Sequence, residues 1–533
     1  MRKTYGAEYP RTLSALLAWS QRELATPAAT DAAGTLDRGA FINRVLCTAA
    51  ALRRGGVSPG ERVAIWLPNS VDYLAAIFAC ARVGALAIHI NTRFRTAEVG
   101  NLLRRTRAVA MVTEWGFAPV DFPGIFSALP AEDRAAVRCV FGLPRSLGIT
   151  KLACLPVRPL DGDAADAGPD ESKGDTPCLT FTTSGTTSGP KLVLHDQQTI
   201  AGHAVDVARR IGLDATDAAL LAAVPFCGTF GNAAAMAAFA GGAHVVCMAQ
   251  FEGETAAALI RRHRVTHVVG GDDMFGRIAA ASGGEPFQSV RFAGFAAFHS
   301  TAAASIAAAE AAGMKPRGLY GSSEVQALFS ISEGENRLLG GGIPVSRQAR
   351  FAVRDPQSGN ELPAGASGEL WIDAPSRFVG YLENPSATER AIDTDGAFRT
   401  GDLARLDGPG FVFEARLGDA MRLGGFLVSP EEIEAVIQAE PGVAGVQVVA
   451  AASGEGDPVP VAFVQPLAGE TIDEAALRAQ CVEKLARFKV PQRIVVLDRF
   501  PVVDSPNGPK VQRMRLREMA EALLREATSQ PAQ

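Results

Sequence analysis

The eight cysteines, at 47, 80, 139, 154, 178, 227, 247 and 481, include no C-x-x-C pair and no Cys/His cluster at zinc-ligand spacing. A disulfide framework and a structural zinc site are thereby excluded, and the thiols read as reduced, buried, small apolar residues. No basic cluster stands out, and a net charge of −5 over 533 residues is small, so nothing calls for a nucleic-acid partner. The start, MRKTYGAEYP, has no apolar core of signal-peptide length, and no run of about 18 apolar residues lacks charge or glycine. A cytoplasmic protein without a transmembrane segment is expected. The seven histidines form no nucleophile, base and orienter set, and His195 reads as structural. No internal repeat is visible.

What is present is ordinary for a globular chain: 47% apolar and 20% charged residues, with length for three or four folding units. Apolar residues recur at helical spacing from Leu36 to Arg54. Arg62 to Leu67 then reads as a strand, Val71 to Val83 as an Ala-rich helix ended by Gly84, and Ala85 to Ile90 as a strand. Strands alternating with helices predict a parallel, doubly wound sheet, and a second alternation runs from Ala201 to Val269. Residues 155–177, rich in Pro, Gly and Asp, read as an exposed connector. From about 338 to 415, short β runs between Gly and Pro suggest a small β-barrel or sandwich. Beyond Arg416 a compact α+β unit is expected, with a capping box at Ser429-Pro430-Glu431-Glu432, a closing helix from Lys510 to Leu524 and a disordered tail. The expected class is α/β. An N-terminal domain, 1–415, holds two doubly wound subdomains plus the barrel, and a smaller mobile domain, 416–533, follows.

The chain is organised around Leu179 to Leu194, LTFTTSGTTSGPKLVL, which reads as strand, tight loop, strand. Gly185 and Gly189 permit close backbone approach, Thr183, Ser184, Thr186, Thr187 and Ser188 supply donors, and Lys191 adds charge, so the loop suits a polyphosphate. It is not a Walker loop: three residues, not four, separate the glycines, and Pro190 precedes the lysine. Composition alone also allows a plain surface loop. Tyr320-Gly321-Ser322-Ser323-Glu324 brings together an aromatic, a turn glycine, hydroxyls and a carboxylate that can stack a base, bind a phosphate oxygen and hold Mg²⁺. Alone, such a stretch is more often a surface turn.

TSGTTSGPK resembles the phosphate-binding signature of the adenylate-forming superfamily of acyl-CoA synthetases, luciferases and peptide-synthetase adenylation domains, with Ser188 and Leu192 where glycines are usual. Four further stretches match in family order: Tyr320 to Glu324; Thr400-Gly401-Asp402 with Arg416 fourteen residues on; Arg422-Leu423-Gly424-Gly425-Phe426; and Asn507 to Arg513. The resemblance covers roughly residues 10 to 525 and implies ATP, Mg²⁺ and CoA as co-substrates and cofactors. It assigns Thr183 to Gly189 and Lys191 to the phosphates, Gly294, Phe295 and Tyr320 to adenine, and Ser323, beside Gly321 and Ser322, to the α-phosphate. Glu324 goes to Mg²⁺ and Asp402 and Arg416 to the ribose side. Gly418 becomes the pivot; Arg422, Gly424, Gly425 and Phe426 line the CoA tunnel; Lys510 bridges the carboxylate and the α-phosphate.

The acyl pocket is expected at Phe226, Gly228, Phe230 and Gly231, where Gly228 replaces a usual aromatic gate. The small residues Ala233 to Ala238 fit either a roomy pocket or close packing, and Asp272 and Asp273 either a polar substrate group or a solvated loop. The implied reaction is AMP-forming ligation of a hydrophobic acid, medium-chain fatty, alicyclic or aromatic, to CoA. The alternatives are a free-standing enzyme loading a carrier protein and a non-catalytic nucleotide-binding relative. Amino-acid activation is disfavoured, since no Asp follows Gly231 to hold an ammonium. A homodimer is compatible with this reading.

Overall fold

The computed structural model describes residues 2–143, 148–183, 191–297, 302–417, 421–423, 426–428, 430–452, 458–485, 487–505 and 508–529. The chain is mixed α/β, with a large N-terminal domain and a smaller C-terminal one. Among the described residues a nine-stranded sheet has at its centre Arg62–Trp66, flanked in parallel by Leu86–His89 and Ala110–Thr113. The chain steps to one side of the central strand and then to the other, which opens a crevice at the strands' carboxyl ends. The helix Val71–Val83 forms because Ser70 caps it, accepting from the Tyr73 amide, and it stops because Gly84 takes a left-handed φ of 78°.

A second sheet of thirteen strands begins as a parallel set, including His244–Cys247, Ala219–Ala222, His267–Gly271, Phe292–Ala296 and Pro316–Ser322. It turns antiparallel at Gln326–Ser332 and continues through Gly341–Pro344 into Gly410–Arg416, Phe398–Asp407, Ser367–Asp373 and Arg350–Arg354. The short β runs expected as a barrel are therefore hydrogen-bonded onto the second sheet. Between the sheets lies the core. Phe239 stacks on Phe41 at 4.8 Å and meets Phe78 edge-on at 5.0 Å, each buried ring contributing roughly 1.5–3 kcal/mol.

Several local expectations change. The connector 155–177 carries a strand, Leu155–Pro159, paired on both sides, and a 3₁₀ turn, Ala164–Ala167; beside them Leu160 and Ala167 are buried, and a Cβ on Gly162 would meet Cys47 O at 2.6 Å. Apolar contacts with the helix Arg38–Arg54 order a stretch whose composition reads as loop. The N-terminal segment is a strap: Arg2 pairs with Asp196, Lys3 with Asp373 at 2.7 Å, and the Tyr9 hydroxyl donates to Asp206 at 2.7 Å. In the C-terminal unit the strands Val443–Ala451, Val459–Pro466 and Arg493–Val496 pack between helices, and Lys510 lies on the strand Gly508–Val511, with the closing helix beginning later, at Arg513.

Candidate active site

The strands Pro177–Thr182 and Leu192–Asp196 pair antiparallel, and the Thr183 amide donates to Lys191 O at 3.0 Å, closing the neck of the loop. The loop itself, Ser184, Gly185, Thr186, Thr187, Ser188, Gly189 and Pro190, lies outside the described residues. Lys191 sits at its exit with Nζ 4.6 Å over the ring of Tyr381. Tyr381 arrives from far along the chain because the short strand Gly380–Tyr381 pairs with Val193 and Leu194. Its hydroxyl donates to Glu324 Oε1 at 2.8 Å, and burial together with that carboxylate pushes the phenol's pKa upward, so it stays a donor. One phenol thus links the lysine and the carboxylate, and nothing in the local sequence singled it out.

Glu324 lies in the turn between Pro316–Ser322 and Gln326–Ser332. Gly321 is required there, since a Cβ would stand 2.6 Å from Gln326 O and from Ala327 Cα. The Ser323 hydroxyl accepts from Thr229 Oγ1 at 3.1 Å, and the Ser322 hydroxyl accepts from the Glu324 amide at 3.2 Å. At the other end of the turn the Tyr320 hydroxyl donates to Asp402 Oδ2 at 2.5 Å. The Tyr320 ring packs against Phe411 at 5.1 Å and Phe413 at 5.9 Å, leaving the residue 8% exposed. That packing fixes the ring's position beside Asp402.

Asp402 and Arg416 are cross-strand partners in the hairpin of Phe398–Asp407 and Gly410–Arg416. Arg416 Nη1 stands 2.7 Å from Asp402 Oδ1; the carboxylate is 2% exposed while the guanidinium side chain is 56% exposed. Burial raises the Asp402 pKa, and Arg416 and the Tyr320 hydroxyl pull it back. The pair presents a fixed acceptor next to a solvent-facing cation.

A cavity of about 480 Å³ opens beside this region. Its apolar wall includes Phe226, Cys227, Phe230 and Met274, and exposed Arg93, Arg95 and Arg277 stand at its mouth with Asp273. Asn69, missed in the sequence, shapes the wall: its amide donates to Ala222 O and Val224 O at 3.0 and 2.8 Å and accepts from the Phe226 amide at 2.8 Å. Gly228 caps the helix Thr229–Gly241, and Gly231 is needed because a Cβ would meet Val224 O at 2.3 Å. The alanines of that helix are buried in the core, so their small size serves close packing.

Other expected residues fall elsewhere. Phe295 is 1% exposed and packs in the core with Val268, Phe275 and Ile306, so its side chain has nothing to offer a nucleotide; Gly294 is hemmed in by Phe292 and Leu319. Asp272 and Asp273 open the helix Asp272–Ala280, the first fully buried and the second exposed, so they form no solvated loop. Gly418, Gly424 and Gly425 lie outside the described residues, as do the side chains of Arg422, Phe426 and Lys510. No cluster of three His, Cys, Asp or Glu among the described residues could hold a metal. Glu324 fits Mg²⁺ in another way: a single oxygen donor beside an anion site suits an ion held mainly by substrate phosphates and water.

The AMP-binding enzyme family matches residues 18–382, and the AMP-binding enzyme C-terminal domain matches residues 432–505. A methyl-dioxo-octahydro-indenyl propanoyl:CoA ligase of Mycobacterium tuberculosis is 30% identical over 500 residues, covering 88% of this chain and 91% of that protein. The fatty acid–acyl-carrier-protein ligase ScoC of Streptomyces coeruleorubidus is 29% identical over 513 residues, 94% of both chains. The structure of ATP-bound MatB from Rhodopseudomonas palustris superposes with a TM-score of 0.80 at 24% identity, covering 96% of this chain and 99% of that one, a likeness of fold.

Proposed function

The chain belongs to the AMP-binding enzyme family, close to its acyl-CoA synthetases, and on that premise we propose that it ligates a hydrophobic carboxylic acid to CoA through an acyl-adenylate. One observation carries the reading. The turn Tyr320 to Glu324 reaches the buried acceptor Asp402 through its first residue and the Lys191–Tyr381 pair through its last, so a nucleotide lying along it meets a diol acceptor at one end and cation and carboxylate at the other.

A carboxylate acylates poorly because oxide is a poor leaving group. Its attack on the α-phosphorus of ATP expels pyrophosphate and makes AMP the leaving group. Both reactants are anions, so the barrier is mutual repulsion, and positioned positive charge lowers it. Lys191 and the loop amides hold the pyrophosphate side, Asp402 and Arg416 fix the ribose, and Lys510 steers the incoming carboxylate. Mg²⁺, held through Glu324, would supply further charge neutralisation. After pyrophosphate leaves, rotation at Gly418 exchanges Lys510 for the Gly424-Gly425 segment and admits the thiol, which attacks the acyl carbonyl and releases AMP.

The cavity walled by Phe226 and Phe230, where the acyl chain is expected, supports a hydrophobic acid, and the three arginines at its mouth match the phosphates of an arriving CoA. No helix among the described residues is long and apolar enough to cross a membrane, and we place the enzyme in the cytoplasm. The likeness to a carrier-protein ligase keeps the second acceptor in view. The test is pyrophosphate release across a panel of hydrophobic acids, with CoA and separately with a phosphopantetheinylated carrier protein. Thioester formation on CoA is expected; release with no acid, or transfer to the carrier alone, would overturn the proposal.

A further inference from the structure

The hairpin strand Leu192–Asp196 and the helix Gln197–Ile211 that follows it together make a row of hydrogen bonds to the carboxylate-bearing turn. His195 Nε2 bonds Ser323 O at 2.8 Å, Thr199 O accepts from the Gln326 amide at 2.8 Å, and His203 Nε2 bonds Ala327 O at 2.8 Å. His195 stands on the hairpin strand Leu192–Asp196 just before the helix, and Thr199 and His203 follow one turn apart on the helix itself. A carbonyl only accepts, so both histidines carry their proton on Nε2. All three, and Gln326, are at most 1% exposed. Burial pulls the pKa of each histidine down to about 4, so both are neutral donors near pH 7.

The turn has reason to need this. Gln326 and Leu328 hold φ of 67° and 60°, left-handed values that a non-glycine residue keeps only when its surroundings over-determine them. Glu324 lies between the two pinned points, and its own carbonyl accepts from the Phe378 amide at 2.6 Å.

We propose that His195 and His203 are positioning residues, a rail that sets Glu324 relative to Lys191 by clamping the backbone of residues 323–327. The inference rests on the adenylating reading of the site. It gives a histidine outside every chemical step a quantitative role in nucleotide handling, and it ties the helix after the phosphate loop to the turn that closes the site from the second sheet.

The test compares His195→Gln, whose amide nitrogen reaches about as far as Nε2, with His195→Asn, whose amide stops near the Nδ1 position, and the same pair at His203. Thermal unfolding, Mg-ATP binding by calorimetry, ATP–pyrophosphate exchange and thioester formation from a supplied acyl-adenylate are measured. The Asn variants should weaken Mg-ATP binding and slow exchange about 10-fold or more, since sub-ångström misplacement of a positioned group is costly. The thioester half-reaction should stay within about 2-fold, because it follows pyrophosphate departure. The Gln variants should restore most of the loss. Folded Asn variants with wild-type exchange and binding overturn the rail, as does equal loss of both half-reactions or failure of the Asn variants to fold, which makes the role one of stability. If the wild-type chain exchanges no pyrophosphate yet binds Mg-ATP in a manner sensitive to these variants, the ligase reading fails and the rail stands. Absence of Mg-ATP binding to the wild type overturns both.

Discussion

The phenol of Tyr381 donates to the Glu324 carboxylate at 2.8 Å across a separation of 57 residues. The same ring carries the Lys191 ammonium on its face, at 4.6 Å. Three chain segments thus meet at one side chain, two of them joined by the pairing of Gly380–Tyr381 with the hairpin strand.

Tyr381→Phe keeps the ring under Lys191 and removes only the donor to Glu324. Adenylation should fall roughly 10-fold, the size of one hydrogen bond to a charged group, whereas Lys191→Ala should cost about 10²-fold or more, as for loss of a transition-state donor. ATP–pyrophosphate exchange measures both. Equal losses would place the phenol in direct contact with the reacting phosphates.

Asp402, as a ribose acceptor, predicts discrimination against a missing hydroxyl. The wild type should use 2′-deoxy-ATP about 10-fold less well than ATP. In Asp402→Asn, which no longer pairs ionically with Arg416, kcat/KM for ATP should drop and the ratio between the two nucleotides should approach one. An unchanged ratio in the variant would remove Asp402 from the ribose.

Lys510→Ala should lose adenylation by about 10²-fold, yet still convert a supplied acyl-adenylate to thioester. Gly425→Leu should do the reverse. Stopped assays of the two half-reactions separate the outcomes, and equal losses in both variants would contradict alternation of the C-terminal unit.

The arginines at the cavity mouth should act on CoA alone. Arg93→Ala and Arg277→Ala are each expected to raise the KM for CoA several-fold, roughly 10-fold at low salt and less as screening shortens the reach of exposed charge. Pyrophosphate exchange should not move. A changed acid preference with constant CoA KM would set these arginines against the acid and not against CoA.

Acid should weaken the fold by a definite route. Burial holds the pKa of His195 and His203 down to about 4 and that of His89 to about 3, below the ordinary value of 6.5. Between about pH 6.5 and 4 the unfolded chain takes up protons that the folded chain refuses. Stability is therefore full above that range and falls as pH falls through it, by up to roughly 1.4 kcal/mol per pH unit for each histidine. Glu434 works the other way: burial raises its pKa to about 7 despite Arg513 at 2.9 Å, so it favours the fold as pH drops from about 7 to 4.5. The net expectation is a urea midpoint that declines from pH 7 to 5, less steeply in the double variant His195→Gln/His203→Gln. A flat profile would count against three neutral, buried rings.

The sequence was most legible where chemistry and local structure coincide. The hairpin about Ser184 to Pro190 shows its strands by β-branched runs, and the helix after Ser70 shows both its caps. Local patterns misled where distant packing takes over. The Pro-, Gly- and Asp-rich stretch that begins at Leu155 gains a strand by pairing with two neighbours and a 3₁₀ turn by lying on another helix, and Asp272 is buried at a helix start although its neighbourhood reads as loop. Phe295 sits at a position the family pattern associates with adenine, yet its strand's alternation turns the ring into the core.

Residue order alone was enough to point to the family and the α/β plan of a large and a smaller domain, and to nominate the carriers of charge, because a loop of small hydroxylated residues closed by a lysine, a carboxylate after a turn glycine and an Asp after a Thr-Gly pair are each local devices. Tyr381, Asn69, His195 and His203 owe their places to tertiary structure, since each acts through a hydrogen bond or ring contact spanning from 57 to 157 residues, and local composition holds no trace of such partners. The physical reason is that a backbone carbonyl or a buried phenol acquires its partner only when the sheets close around it, and burial then makes that partner obligatory.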